Sequence, residues 1–154
     1  MTKRVPIAID TTVAGAINTA FGVLEELAEE MREAYENTPE SLQSSAVGEA
    51  RSEAADALES ISEPDMPEWA ADVAVKFTLL PLKRNASRSA RRDEAVEYAR
   101  QAFEALEAHR EQQAAIETTD DENTDLIDAL DALLDETQTM IDEAEAVEFP
   151  GMYA

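Results

Sequence analysis

Four amphipathic stretches, the short polar joints between them and a heptad rhythm in the last one point to an all-α protein. They predict a four-helix-bundle-like domain over residues 1–146. An extended segment near residues 73–82 and a non-helical apolar tail over residues 147–154 complete the expected architecture. The 154 residues suit one domain with a real hydrophobic core. Because 44% of them are hydrophobic, wholesale disorder is not expected in spite of a net charge of −23.

In residues 11–36, Val13, Ile17, Phe21, Leu24, Ala28, Met31 and Tyr35 recur at steps of three and four, one face of a helix, with Asp10 or Thr11 as its cap. Asn37-Thr38-Pro39 ends it, since proline disfavours helical geometry in the residue before it. Thr38 and Pro39 then read as the cap and first turn of a second helix, residues 39–62. Its stripe is thinner: Leu42, Val47, Ala50, Ala54, Ala57 or Leu58, and Ile61. Pro64 and Pro67 break the pattern. Next, Val73, Val75, Phe77 and Leu79 alternate with Ala74, Lys76 and Thr78, the period of a strand, although Trp69-Ala70-Ala71-Asp72-Val73 also fits a helical turn. A lone strand needs a partner, from another chain or from this chain's own end.

A third helix is expected over residues 89–116, with Val96, Ala99, Phe103 and Leu106 facing inward beside Ala95 and Ala102. Thr119 and Glu122 have capping-box spacing before the fourth, residues 121–146. There Leu126, Leu130, Leu133, Thr137, Met140, Ala144 and Val147 keep a heptad rhythm.

Composition excludes several chemistries. With no cysteine there is no disulfide framework and no thiol catalysis; with one histidine, most transition-metal sites lose their usual ligands. Four glycines leave no phosphate-binding loop. In the fourth helix Asp121, Asn123 and Asp125 begin a calcium-loop pattern, but Leu126 and Ala132 stand where its glycine and glutamate belong. Leu106 stands three residues before His109, where a di-iron bundle needs glutamate. No serine nucleophile motif occurs, so the chain reads as a non-enzyme with no cofactor and no metal. The longest uncharged run, residues 11–24, is too short to span a bilayer, and Asp10 interrupts any signal-peptide pattern after Lys3 and Arg4. A soluble protein, cytoplasmic or carried in a virion, is therefore expected. Scarce lysine with abundant Asp and Glu matches a salt-in halophile, where molar salt screens dense like charge; a GC-rich genome gives the same arginine bias.

The charge is uneven: residues 69–92 carry net +5, whereas residues 117–154 carry thirteen acidic groups and no basic one. The basic island, Lys83, Arg84, Arg88, Arg91 and Arg92, fits phosphate binding or pairing with acidic protein surface. No aromatic residue interleaves it for base stacking, so protein is the preferred partner, the chain's own acidic helices included, and nucleic acid is not. The acidic helix reads as a solvated face or as a mimic of DNA. Apolar residues outside the helices mark a partner surface: Phe77, Leu79 and Leu80 in the extended segment, and Phe149, Pro150, Met152 and Tyr153 in the tail. Those seven, with Arg84, Arg88, Arg91 and Arg92, form the expected partner-binding set. The tail is expected to dock, into its own bundle or, by preference, into a neighbouring subunit or partner.

Three stretches, Asn37-Thr38-Pro39-Glu40-Ser41-Leu42-Gln43, Arg91-Arg92-Asp93-Glu94-Ala95 and Val147-Glu148-Phe149-Pro150-Gly151-Met152, resemble small helical proteins of tailed viruses of bacteria and archaea. With the halophile-like composition, the resemblance implies a haloarchaeal tailed virus; it brings no site residues with it. The expected function is protein–protein interaction without catalysis, as a homo-oligomer or with a protein partner, in a structural or accessory part of a virion. The alternative is an acidic DNA-mimic inhibitor of a nucleic-acid-binding host protein.

Overall fold

Most of the chain is helical, but its first strand-forming residues are at the N-terminus, where they pair with the extended segment. The computed structural model describes residues 4–116 and 121–150. β1 (Ile7–Thr12) lies antiparallel to β2 (Ala74–Leu79), with Ile7 opposite Leu79, Ile9 opposite Phe77 and Thr11 opposite Val75. The all-α expectation holds for most of the chain, with a two-stranded sheet added to it: residues 7–12 supply the strand that β2 needs, because Val5, Ile7 and Ile9 alternate with Pro6, Ala8 and Asp10.

Pairing runs through Thr12, so α1 (Val13–Glu36) is capped by Thr12, which accepts from the Gly15 amide at 3.0 Å, and not by Asp10 or Thr11. The free amide of Val13 donates to the Val73 carbonyl at 2.9 Å, which locks the helix start to the strand. At the other end Thr38 turns back: its hydroxyl donates to the Ala34 carbonyl at 2.7 Å and accepts from Arg51 at 2.8 Å. It therefore closes α1 and does not cap the next helix.

The expected second helix is two pieces, α2 (Glu40–Gln43) and α3 (Ala46–Glu59), divided at Ser44–Ser45. Ser45 prefers the cap: its hydroxyl accepts from the Gly48 amide. The break rotates α2 away from the core, and Leu42 and Val47, read as core, are exposed. Ala54, Ala55, Leu58 and Ile61 are buried as the inward face of this region. A turn of 3-10 helix (Glu68–Ala71) then leads into β2.

α4 (Arg88–Ala114) starts on the Ser87 hydroxyl, which accepts from the Ala90 amide at 3.1 Å. α5 (Asp121–Glu145) follows, its proposed cap Thr119 lying outside the described residues. α1 packs on both α3 and α4, and α4 packs on α5, while α3 touches α5 lightly. Having two helical neighbours widens the buried stripe of α1, which gains Ala16, Ala20 and Leu27; Phe21 and Tyr35 sit half-buried at its margins. The α5 rhythm holds from Leu130 onward: Leu130, Leu133, Thr137, Met140, Ala144 and, just past the helix, Val147 are buried, while Leu126 at its start is half-buried. Small residues on α4, Ala95, Ala99 and Ala102, let its neighbours approach closely.

Candidate interaction surface

The ribbon puts Ile7, Ile9 and Thr11 of β1 on one face with Val75, Phe77 and Leu79 of β2, since partners in register share a face. That face turns to the helices, and its cover thins along the ribbon. Val75 is 2% exposed, Phe77 and Leu79 are half-buried, Ile7 is 47% exposed and Val5, just before the strand, 69%. The Phe77 ring meets the Tyr98 ring of α4 edge-on at 5.2 Å and 88°, which holds the ribbon on that helix. Burial there raises the Tyr98 hydroxyl's pKa, with the neighbouring Glu94 carboxylate adding to it; Glu94 is itself pushed up by desolvation. Leu80, at the exit of β2, is 46% exposed.

The basic island divides in two. Arg91 grips Glu30 of α1 through two hydrogen bonds, 2.9 and 2.6 Å, and Arg88 adds an ion contact at 3.5 Å. The hydrogen bonds from Arg91, chief among the causes, hold the Glu30 carboxyl below its usual range. Arg92 donates to the Ala144 and Val147 carbonyls, each at 2.9 Å, so it satisfies the open C-terminal end of α5. Its guanidinium also stands 5.7 Å from the centroid of the Phe149 ring. Arg88, Arg91 and Arg92 are thus bound within the fold. Arg84 and Lys83 are exposed and, among the described residues, have no carboxylate within 4 Å.

Phe149 is half-buried against the core and Pro150 half-buried beside it, so the first part of the tail lies on its own fold. Met152 and Tyr153 lie outside the described residues. The reading missed Val5, Ile7 and Arg4. Arg4 donates to the Pro81 carbonyl at 3.0 Å and so ties the start of β1 to the exit of β2 at one end of the ribbon. The alternation of Val5, Ile7 and Ile9 was the signal for them.

A groove of about 480 Å³ runs between α1 and the end of α3. Phe21, Leu24, Leu58 and Ile61 form its floor, and Glu25, Glu29 and Glu33 its α1 rim. Arg32, also on that rim, is already held by Asp56 at 2.6 Å and Glu59 at 2.9 Å. The hydrogen bond from Arg32 keeps Glu59 ionised below its ordinary pKa.

His109 stacks on Trp69 with ring centroids 6.2 Å apart, a packing role for the single histidine. Among the described residues no three His, Asp or Glu side chains are grouped so as to hold a metal ion. No helix among them is long and apolar enough to cross a membrane. In comparison with known proteins, no family model, curated protein or solved structure matches this chain.

Proposed function

We propose that this protein is a non-enzymatic interaction protein. In this reading its long helices form a four-helix bundle that presents the β1–β2 ribbon to a protein partner. One observation carries it: exposed large apolar side chains and cations with no carboxylate within 4 Å among the described residues fall at the same place. Val5, Ile7 and Leu80 are exposed there, beside Arg4, Lys83 and Arg84. On a chain of net charge −23, cations without an anion among the described residues favour an acidic partner, and the apolar residues between them favour a protein. The resemblance to tailed-virus proteins supports a structural or accessory role in a particle. Two of the resembling stretches touch, since Arg92 donates to the Val147 carbonyl and faces Phe149, so they form one folded corner.

The test is binding to purified virus particles with two sets of variants. Val5→Asp with Leu80→Asp should abolish copurification, while Asp125→Asn with Asp128→Asn on α5 should leave it intact. The reverse pattern, with capture of a DNA-handling protein that only the α5 change removes, would establish the DNA-mimic reading instead.

A further inference from the structure

Six arginines on the helices, Arg32, Arg88, Arg91, Arg92, Arg100 and Arg110, each have a carboxylate of this chain within 4 Å. Arg51 is bonded to Thr38 and the Ala34 carbonyl. The remaining described cations, Arg4, Lys76, Lys83 and Arg84, have no such carboxylate among the described residues, and all four belong to the ribbon or its flanks. Against them the same segments, residues 4–12 and 74–84, hold one acidic residue, Asp10. A basic, apolar tip therefore sits on an acidic body.

The groove between α1 and α3 has the complementary character. Its floor is apolar, its rim carries Glu25, Glu29 and Glu33, and its volume of about 480 Å³ lies within the range of sites that enclose apolar groups. The helix divides its acids by side: Glu26 and Glu30 meet Arg91 of α4, whereas Glu25, Glu29 and Glu33 face the groove. Within one chain the ribbon is held on α4 by Phe77 and Tyr98 and does not line the groove. Tip and groove are thus free to be used between molecules.

We infer that the ribbon tip of one copy of this chain docks in the α1–α3 groove of the next, joining molecules head to tail. The inference rests on the interaction reading and names the partner as a second copy. Val5, Ile7 and Leu80 cover the apolar floor, and Lys83 and Arg84 meet the Glu25–Glu29 rim. Such a contact is heterologous: each bound copy keeps one free tip and one free groove, so association continues into a ring or a filament. Two bodies of charge −23 repel at long range, and that repulsion is screened within a few ångströms in molar salt while the apolar contact persists. The few rim pairs are screened as well, but relief of the repulsion between two whole bodies outweighs them, so self-association strengthens from low to molar salt. A nucleic acid would meet the same tip, but the acidic body opposes a polyanion, and the tip offers no aromatic ring for a base.

Sedimentation velocity in molar salt tests this with the whole chain. Wild type should form species larger than a dimer. Lys83→Glu with Arg84→Glu should associate about tenfold more weakly or not at all, and so should Glu25→Lys with Glu29→Lys. Each variant should keep the wild-type circular dichroism spectrum, since all four positions are exposed. Mixed together, the two variants should assemble again, because the native tip of one fits the native groove of the other and the reversed tip fits the reversed groove. A wild type that stays monomeric overturns the inference, as does a mixture that stays monomeric while wild type assembles, or a groove variant that still associates alone, which is the mark of tip-to-tip pairing. A DNA gel shift removed by the tip variant also overturns it. If wild type is monomeric yet still binds particles through Val5 and Leu80, self-association fails while the interaction reading stands.

Discussion

Arg91 and Arg92 are neighbours in sequence, yet they do different work, and each can be removed separately. Arg91 holds Glu30 ionised below the ordinary carboxylate pKa of 4.5, so the folded state binds that proton less tightly than the unfolded chain does. The stabilisation is complete above that ordinary value and is lost as pH falls through the lower folded one. Arg91→Gln should thus lower the melting temperature at neutral pH and flatten the acid limb of the stability profile. With both partners half-exposed, the cost is no more than about 1 kcal/mol. Arg92→Ala removes a donor from the Ala144 carbonyl, which keeps only the Val147 amide at 3.3 Å, takes the guanidinium from the Val147 carbonyl and uncovers Phe149, and should cost about 1–3 kcal/mol. Arg84→Ala, at an exposed position with no carboxylate within 4 Å among the described residues, should leave thermal unfolding unchanged. Equal losses for Arg84 and Arg92 would contradict this division.

Among the elements, Gly22 of α1 and Gly48 of α3 respond in opposite directions. A Cβ on Gly48 would run into the Gln43 and Leu42 carbonyls, backbone atoms that cannot swing aside. Gly22 has nothing within 4 Å of such an atom. Gly22→Ala should therefore stabilise by about 0.5–1 kcal/mol, the usual helical gain over glycine. Gly48→Ala should destabilise by about 1–3 kcal/mol, read by thermal unfolding. The break between α2 and α3 is not legible in the sequence. The 3.6 period of Leu42, Val47, Ala50 and Ala54 runs through the break, and the preference of Ser45 for a cap carries no periodic signal. The α5 face was legible because its leucines repeat without interruption and it packs chiefly on one helix. The ribbon was half legible: the alternation of β2 is plain, but its partner lies more than sixty residues away, and a pairing at that distance leaves no local mark. The same holds for Arg91 and Arg92. Their charge is visible in the sequence, but which of the many carboxylates and carbonyls they meet is decided by helix packing. The groove was not legible, since it forms only when α1 and α3 come together.

For the whole molecule the dominant physical fact is 35 acidic residues against 12 basic ones in 154. The compact state brings like charges together, and salt relieves that repulsion while strengthening apolar burial. The melting temperature should therefore rise steadily from low to molar salt, and a flat or falling curve by circular dichroism would count against it. α5 combines an exposed acidic side with no basic residue of its own, and its ties to α4 run through Arg92, Arg100 and Arg110. It should loosen first when salt is withdrawn. The same screening governs assembly, so folding and self-association strengthen together along one salt axis.

Amide hydrogen exchange, compared between dilute and concentrated protein in molar salt, bears most directly on the surface proposed for partners. The account predicts that concentration adds protection at two separate places, the ribbon and its exit (residues 4–12 and 74–84) and the groove segments (residues 21–33 and 58–61). The α4 start at Arg88–Arg92 should not change, because its arginines are already bound within the fold. Added protection confined to α5 or to the α4 start, or none at any concentration, would contradict the central claim that the ribbon of one copy meets the groove of the next.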